Sequence, residues 1–92
     1  MTDYEKKVFR DALTTFGMRS QIELLFEEMA ELQKEFCKFL RGKSNYDQIS
    51  EEMADVEIML DQMRRALGNE DDVQKWREKK VERLKDLIAK QK

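Results

Sequence analysis

The 92-residue chain contains no proline, no histidine, three glycines and a single cysteine. So little proline and glycine argues against a turn-rich sandwich or barrel. The absence of histidine excludes catalytic triads, histidine-ligated haem and most zinc enzymes. The lone Cys37 excludes an internal disulfide framework and a multi-cysteine zinc site. Any chemistry must therefore depend on carboxylates, lysines, arginines, or a cation that prefers oxygen ligands.

Long apolar runs are also absent from the sequence. No segment approaches the ~18 consecutive apolar residues of a membrane span, and the first residues lack the apolar core of a signal peptide. We therefore expect a cytoplasmic protein with no membrane partner. The net charge of −2 gives no reason to expect a nucleic-acid partner. The length predicts one domain, residues 1–92.

Apolar residues recur at spacings of three and four in four segments, and no segment alternates as a strand would. The first segment, Asp3–Phe16, ends at Gly17. The second is predicted to begin at a capping box formed by Ser20 and Glu23 and to end at Arg41–Gly42. A loop follows, in which Ser44, Asn45 or Asp47 can cap the third segment. Gly68 closes the third helix, and residues 69–72 open the fourth.

These segments predict an all-α fold: a helical bundle of three long helices plus a short N-terminal helix. Because the connecting loops are short, consecutive helices are expected to pack antiparallel. A chain of this size buries only a modest core by itself. The methionine and phenylalanine residues on the second and third helices therefore make assembly into a larger bundle plausible.

Several charged residues occupy helical positions where apolar residues are expected. Glu52 falls inside the apolar arc of the third helix, and Asp55 lies at its edge. Glu28, Glu31 and Glu35 follow one border of the apolar stripe on the second helix. An ionised carboxylate on a core-facing stripe is costly unless it is paired or coordinated.

The fourth helix carries Lys80 in the middle of its apolar stripe and Arg83 on the flank. Each of these charges also has a structural interpretation. The glutamates could form one solvated face, Lys80 could extend along the stripe to reach water, and Glu52 could form a structural ion pair with Lys80.

Taken together, the acidic residues favour a cation site. Pairs at positions i and i+3 point to one side of a helix, so two such pairs on antiparallel neighbours converge into a cage of four carboxylates. All-oxygen cages suit Mg²⁺ or Mn²⁺.

The segments Glu27-Glu28-Met29-Ala30-Glu31 and Glu52-Met53-Ala54-Asp55 resemble the E-E-x-x-E … E-x-x-D signature of the MazG-like, all-α nucleoside triphosphate pyrophosphohydrolases. Twenty residues separate the two motifs, and the resemblance extends from about Gly17 to Leu87. The chain looks like the small stand-alone members often found in phages, which implies a bacterial cell or a phage-infected host. It departs from many members in having Ala30 and Ala54 where glycine is common.

The resemblance implies hydrolysis of a (deoxy)nucleoside triphosphate to a monophosphate and pyrophosphate. It also implies that Mg²⁺, with Mn²⁺ as a substitute, is held by four carboxylates: Glu28, Glu31, Glu52 and Asp55. Glu27 or Glu31 would accept a proton from the attacking water. Gln21, Lys80 and Arg83 would contact the substrate, and the protein would form a homodimer or homotetramer.

The alternative hypothesis is a non-catalytic, oligomeric helical protein that binds a partner through its methionine and phenylalanine stripes. This alternative predicts no metal binding and no effect of Mg²⁺ on thermal stability.

Overall fold

A computed structural model describes all 92 residues and contains four helices and no strand. The helices are α1 (Asp3–Phe16), α2 (Met18–Leu40), α3 (Tyr46–Leu67) and α4 (Glu70–Gln91). The predicted all-α fold, with three long helices and one shorter N-terminal helix, is confirmed. None of the four helices combines the length and the apolarity that crossing a membrane would require.

The first helix begins with a capping box formed by Thr2 and Glu5, which was not among the predicted caps. The Thr2 hydroxyl accepts a hydrogen bond from the Glu5 backbone N–H at 3.0 Å, and the Glu5 carboxylate accepts one from the Thr2 N–H at 2.7 Å. The pattern T-x-x-E is visible in the sequence, so this start was predictable.

The capping box predicted at Ser20 and Glu23 is wrong. Gly17 has a φ of 86° and ends α1, and α2 begins immediately afterwards without a side-chain cap. Ser20 therefore lies inside the first turn of α2. The Glu23 carboxylate instead forms an exposed ion pair with Arg19, one turn earlier, at 3.1 Å.

Helices α2 and α3 form an antiparallel hairpin, and their contact is the most extensive between any two helices of the fold. Asn45, just before α3, hydrogen-bonds to Glu35 near the end of α2, whereas residues further along α3 meet earlier residues of α2. Helix α1 lies against both, and mainly against α3. The buried apolar core consists of Phe9, Ile49 and Met59.

Helix α4 departs from the expected packing. It contacts only α3, and the contact lies at their junction, where Leu60, Leu67 and Val73 line an apolar wedge. From residue 74 onward every side chain is exposed. An amphipathic helix needs a surface to cover its apolar stripe, and the single chain provides none for α4.

The extended position of α4 is reflected in the overall dimensions. The radius of gyration is 16.2 Å, whereas a compact domain of this length is expected to have about 12 Å. The hairpin with α1 is therefore the packed part of the chain.

Candidate metal centre

Three carboxylates meet in the seam between α2 and α3: Glu28, Glu52 and Asp55, here called the acidic cluster. One oxygen from each lies within 4.8 Å of the other two, and all three residues are half-buried. Glu28 comes from α2, and Glu52 and Asp55 lie three positions apart on α3, which brings both side chains to one side of that helix. The predicted convergence of the two acidic motifs is confirmed for these residues.

No cation of the chain neutralises the acidic cluster. The four ion pairs in the structure all lie elsewhere. One oxygen of Glu52, Oε2, is buried without any hydrogen-bond partner. A buried carboxylate oxygen with neither donor nor cation is costly and calls for an explanation.

The surroundings of the cluster raise the pKa values of two of its acids, Glu28 and Glu52. Desolvation raises the pKa of Glu28, and the neighbouring Asp55 carboxylate raises it further. Desolvation likewise raises the pKa of Glu52, followed by repulsion from Asp55 and Glu31. A bound divalent cation would reverse these shifts, because it stabilises the charged forms.

Glu31, predicted as the fourth ligand, lies at the rim rather than inside the cluster. Its side chain is exposed and it is absent from the set of converging oxygens. It is nevertheless close enough to raise the pKa values of both Glu28 and Glu52. The predicted cage of four carboxylates is thus a group of three, with Glu31 beside it.

Glu27 and Gln21 lie apart from the cluster and close to one another. Both line a shallow depression of about 260 Å³ between the end of α1 and the start of α2, together with Phe16 and Leu24. Gln21 is buried and Glu27 is exposed. The structure therefore places Glu27 away from the converging oxygens that would hold a cation.

Glu35 differs from the acidic cluster because its pKa is lowered, whereas those of Glu28 and Glu52 are raised. Asn45 Nδ2 donates to the Glu35 carbonyl at 2.9 Å and to Oε1 at 3.0 Å, and Lys38 forms an ion pair with Oε2 at 3.1 Å. The hydrogen bond from Asn45 is the main reason that the pKa of Glu35 is lowered, and Lys38 adds to it. We call Glu35, Lys38 and Asn45 the Glu35 clamp, because they fasten the loop end of the hairpin.

Asn45 was predicted only as a helix cap and not as a partner of Glu35. At the N-cap position of α3 it makes no capping hydrogen bond. A helical wheel contains no loop residues, so the pattern held no signal for its contact with Glu35.

Lys80 and Arg83 are exposed on α4, which does not touch α2. The prediction that Lys80 faces inward, opposite the carboxylates, is therefore wrong for the single chain, because α4 does not fold back along the hairpin. Lys80 instead lines a surface depression with Asp72 and Trp76. The structural ion pair between Glu52 and Lys80 is not formed.

No protein-family model, no curated protein and no solved structure matches this chain.

Proposed function

We propose that the protein hydrolyses a (deoxy)nucleoside triphosphate to the nucleoside monophosphate and pyrophosphate, with Mg²⁺ or Mn²⁺ held by the acidic cluster. The observation that carries the proposal is the unpartnered Oε2 of Glu52 inside a group of three carboxylates that no cation of the chain approaches. The resemblance of the same residues to the pyrophosphohydrolase motifs supplies the reaction.

The ligands available in the cluster fit the proposed cation. All are carboxylate oxygens from Glu28, Glu52 and Asp55, and no nitrogen or sulfur ligand is near to favour zinc. When bound, the cation would supply Lewis-acid chemistry and neutralise charge on the triphosphate. The three carboxylates would hold it, and the exposed Glu31 at the rim is free to contribute a further oxygen.

Glu31 is the better candidate for the general base. In the proposed reaction a water molecule attacks the α-phosphorus, the bond from that phosphorus to the α,β-bridging oxygen breaks, and pyrophosphate leaves. A carboxylate at the edge of the site can accept the proton that the water loses. Glu31 lies beside the cluster and is solvent-accessible, whereas Glu27 faces the depression that it shares with Gln21.

We assign Lys80 and Arg83 to the phosphates of the substrate, and Gln21 to a contact with the rest of the nucleotide. Charge-assisted hydrogen bonds from basic side chains would stabilise the departing pyrophosphate. Because α4 lies apart from the cluster, this role requires α4 to be placed over a cluster by an assembly larger than one chain. Gln21 lies on the same helix as Glu28, two turns earlier, and is buried beside the depression that it shares with Glu27.

The second candidate, a non-catalytic oligomeric interaction protein, is favoured by a different observation. Many large apolar side chains are exposed, including Phe26 and Leu40 on α2 and Trp76 on α4. A binding role would explain this surface but not the unneutralised acidic cluster. The two candidates differ in whether the protein binds a divalent cation.

The decisive experiment measures pyrophosphate and orthophosphate release from the common ribonucleoside and deoxyribonucleoside triphosphates, with Mg²⁺ and with chelator. We expect Mg²⁺-dependent release of pyrophosphate without orthophosphate. The Glu52→Gln variant should fall to background, because it keeps the shape of the side chain but loses the charge that holds the cation. Glu51→Gln is the matched control, since Glu51 is its exposed neighbour, and it should retain activity.

Two results would contradict the proposal. One is the absence of pyrophosphate release from every nucleotide tested in the presence of Mg²⁺. The other is a Glu52→Gln variant as active as Glu51→Gln.

A further inference from the structure

The depression between the end of α1 and the start of α2 has no part in holding the cation or the phosphates in the proposed reaction. It has a volume of about 260 Å³, and its lining includes Phe16, Gln21 and Glu27. Phe16 is 62% exposed, and exposed aromatic rings are the surfaces on which proteins stack nucleobases. One wall of the depression is therefore suited to a planar aromatic ligand.

The depression is continuous with the rim of the acidic cluster along α2. Two of its lining residues, Leu24 and Glu27, lead to Glu31 at spacings of three and four, so all three follow one line on the helix. Glu31 lies beside the cluster. Two helical turns, about 10 Å, separate Gln21 in the depression from Glu28 in the cluster. A nucleoside triphosphate with its phosphates at the cluster is long enough to place its base in the depression.

Gln62 lies across the seam from Gln21. Glu28 and Asp55 meet in the cluster, Gln21 precedes Glu28 by two turns, and Gln62 follows Asp55 by two turns. Because α2 and α3 are antiparallel, both displacements run in the same direction and bring the two glutamines to one layer of the seam. Both are buried, and Gln62 Oε1 has no hydrogen-bond partner. A buried acceptor of this kind calls for a donor, which the amide of Gln21 can supply.

The polar groups of the depression would then present acceptors to a ligand. When Gln21 Nε2 donates to Gln62 Oε1, Gln21 Oε1 points the other way, into the depression. Glu27 adds a carboxylate that forms no ion pair, and an ionised carboxylate only accepts hydrogen bonds. Cytosine and adenine carry an exocyclic amino group that donates, whereas thymine has a carbonyl oxygen at that position, as uracil does.

We propose that the depression binds the base of the nucleotide and selects cytosine or adenine over uracil or thymine. Phe16 stacks on the base, and Glu27 and Gln21 accept hydrogen bonds from its amino group. Gln62 is a positioning residue, which orients the amide of Gln21. The inference rests on the proposed function for the choice of a nucleotide as ligand, and it adds the class of base and the residues that recognise it.

The test is an NMR titration of the unaltered protein with cytidine and with uridine, in chelator. Cytidine should bind about tenfold more tightly than uridine and should shift the side-chain amide signals of Gln21 and Gln62. Nucleosides carry no phosphate, so the measurement needs neither a cation nor hydrolysis. Preference for cytidine without hydrolysis of any triphosphate would support the base site and contradict the proposed reaction. Hydrolysis with equal binding of the two nucleosides would overturn the base site and leave the reaction standing.

Phe16→Ala should weaken cytidine binding about tenfold, because the stacking surface is lost. Phe26→Ala is the matched control, since Phe26 is also 62% exposed and lines a different depression on α2. It should leave the dissociation constant unchanged. Equal weakening by both variants would overturn the proposal.

Gln62→Leu separates the positioning role from a structural one. It replaces an unpartnered amide by an apolar group of similar size, so the urea midpoint should not fall, whereas most of the preference for cytidine over uridine should be lost. Glu27→Gln should narrow the preference as well, because the new amide also donates. A preference that is unchanged in both variants would overturn the assignment of these residues to the base.

Discussion

The hairpin contains two groups of inward-facing acids, and their pKa values are shifted in opposite directions. In the Glu35 clamp, Asn45 and Lys38 satisfy both carboxylate oxygens and the pKa is lowered. Two turns earlier on α2, the acidic cluster receives no cation and the pKa values of Glu28 and Glu52 are raised. Glu35, which joins the loop to α2, thus has hydrogen-bond and ion-pair partners within the chain. The acidic cluster, where we propose that a cation binds, has no basic partner.

The largest effect expected is the stabilisation of the folded protein when Mg²⁺ binds to the acidic cluster. If Mg²⁺ binds only the folded state and is present at 100 times its dissociation constant, it raises the free energy of unfolding by about 2.7 kcal/mol. Glu52→Gln should lose most of this gain. In chelator the variant should be as stable as the wild type or more stable, because one repelling charge is gone.

Thermal melts of both proteins at one protein concentration, with Mg²⁺ and with chelator, measure these differences. A Glu52→Gln variant that is strongly destabilised in chelator would show that Glu52 contributes to folding rather than to binding. The contrast with the Glu35 clamp would then disappear.

Breaking the Glu35 clamp should have the next largest effect. Asn45→Ala removes two hydrogen bonds to a buried glutamate and should cost about 2 kcal/mol, since buried acceptors are left unsatisfied. The control is Asn69→Ala, at the corresponding position before α4, where the side chain makes no capping hydrogen bond. Urea denaturation at fixed protein concentration measures both, and equal costs would mean that the clamp adds nothing specific.

A third prediction concerns Lys80, the basic side chain that we assign to the phosphates of the substrate. Lys80→Ala should lower the rate of triphosphate hydrolysis about tenfold, the effect of losing one charge-assisted contact of about 1.5 kcal/mol. Lys79→Ala should change it little, because Lys79 lies over the Trp76 ring, 5.2 Å from its centre. Steady-state pyrophosphate release measures both variants. Equal losses would remove the assignment of Lys80 to the phosphates.

The smallest effect expected is the pH dependence of stability in chelator. Glu28 and Glu52 have folded pKa values above the usual 4.5, so the folded state binds more protons than the unfolded state. Stability should therefore increase as the pH falls from neutral through these raised values toward 4.5. Glu35 and Glu5 have lowered values, so their contribution is present above 4.5 and is lost as the pH falls through their folded pKa values.

Denaturation across this pH range should show a maximum, and Glu52→Gln should flatten its neutral side only. If Glu35→Gln flattened the same side, the two groups of acids would not differ as described.

The sequence predicted the elements that depend on local pattern, and it predicted part of the candidate site. The bounds of α1, the glycines after α1 and α3, and the convergence of Glu28 with Glu52 and Asp55 follow from helical spacing and short loops. The start of α2 was wrong because a positive-φ glycine can end one helix and allow the next to begin without a cap.

The remaining errors concern contacts between different elements of the fold, not the pattern within one helix. The stripe on α4 predicted a face that packs against the other helices, but periodicity does not identify the surface that would cover it. Lys80 was therefore placed opposite the carboxylates when the single chain leaves it exposed. Asn45 was missed for a related reason, since its contact with Glu35 joins a loop to a helix across ten positions.

Because the two hairpin helices are neighbours in sequence, we expect their contacts to form early as the protein folds. The clamp and the cluster join neighbouring helices across a short loop, and such contacts close early and at low entropic cost. This step is unimolecular, so its rate should not depend on concentration. Helix α4 contacts only α3, at their junction, and adds little to this step. Refolding should accordingly begin with a gain of helix whose rate does not depend on the protein concentration.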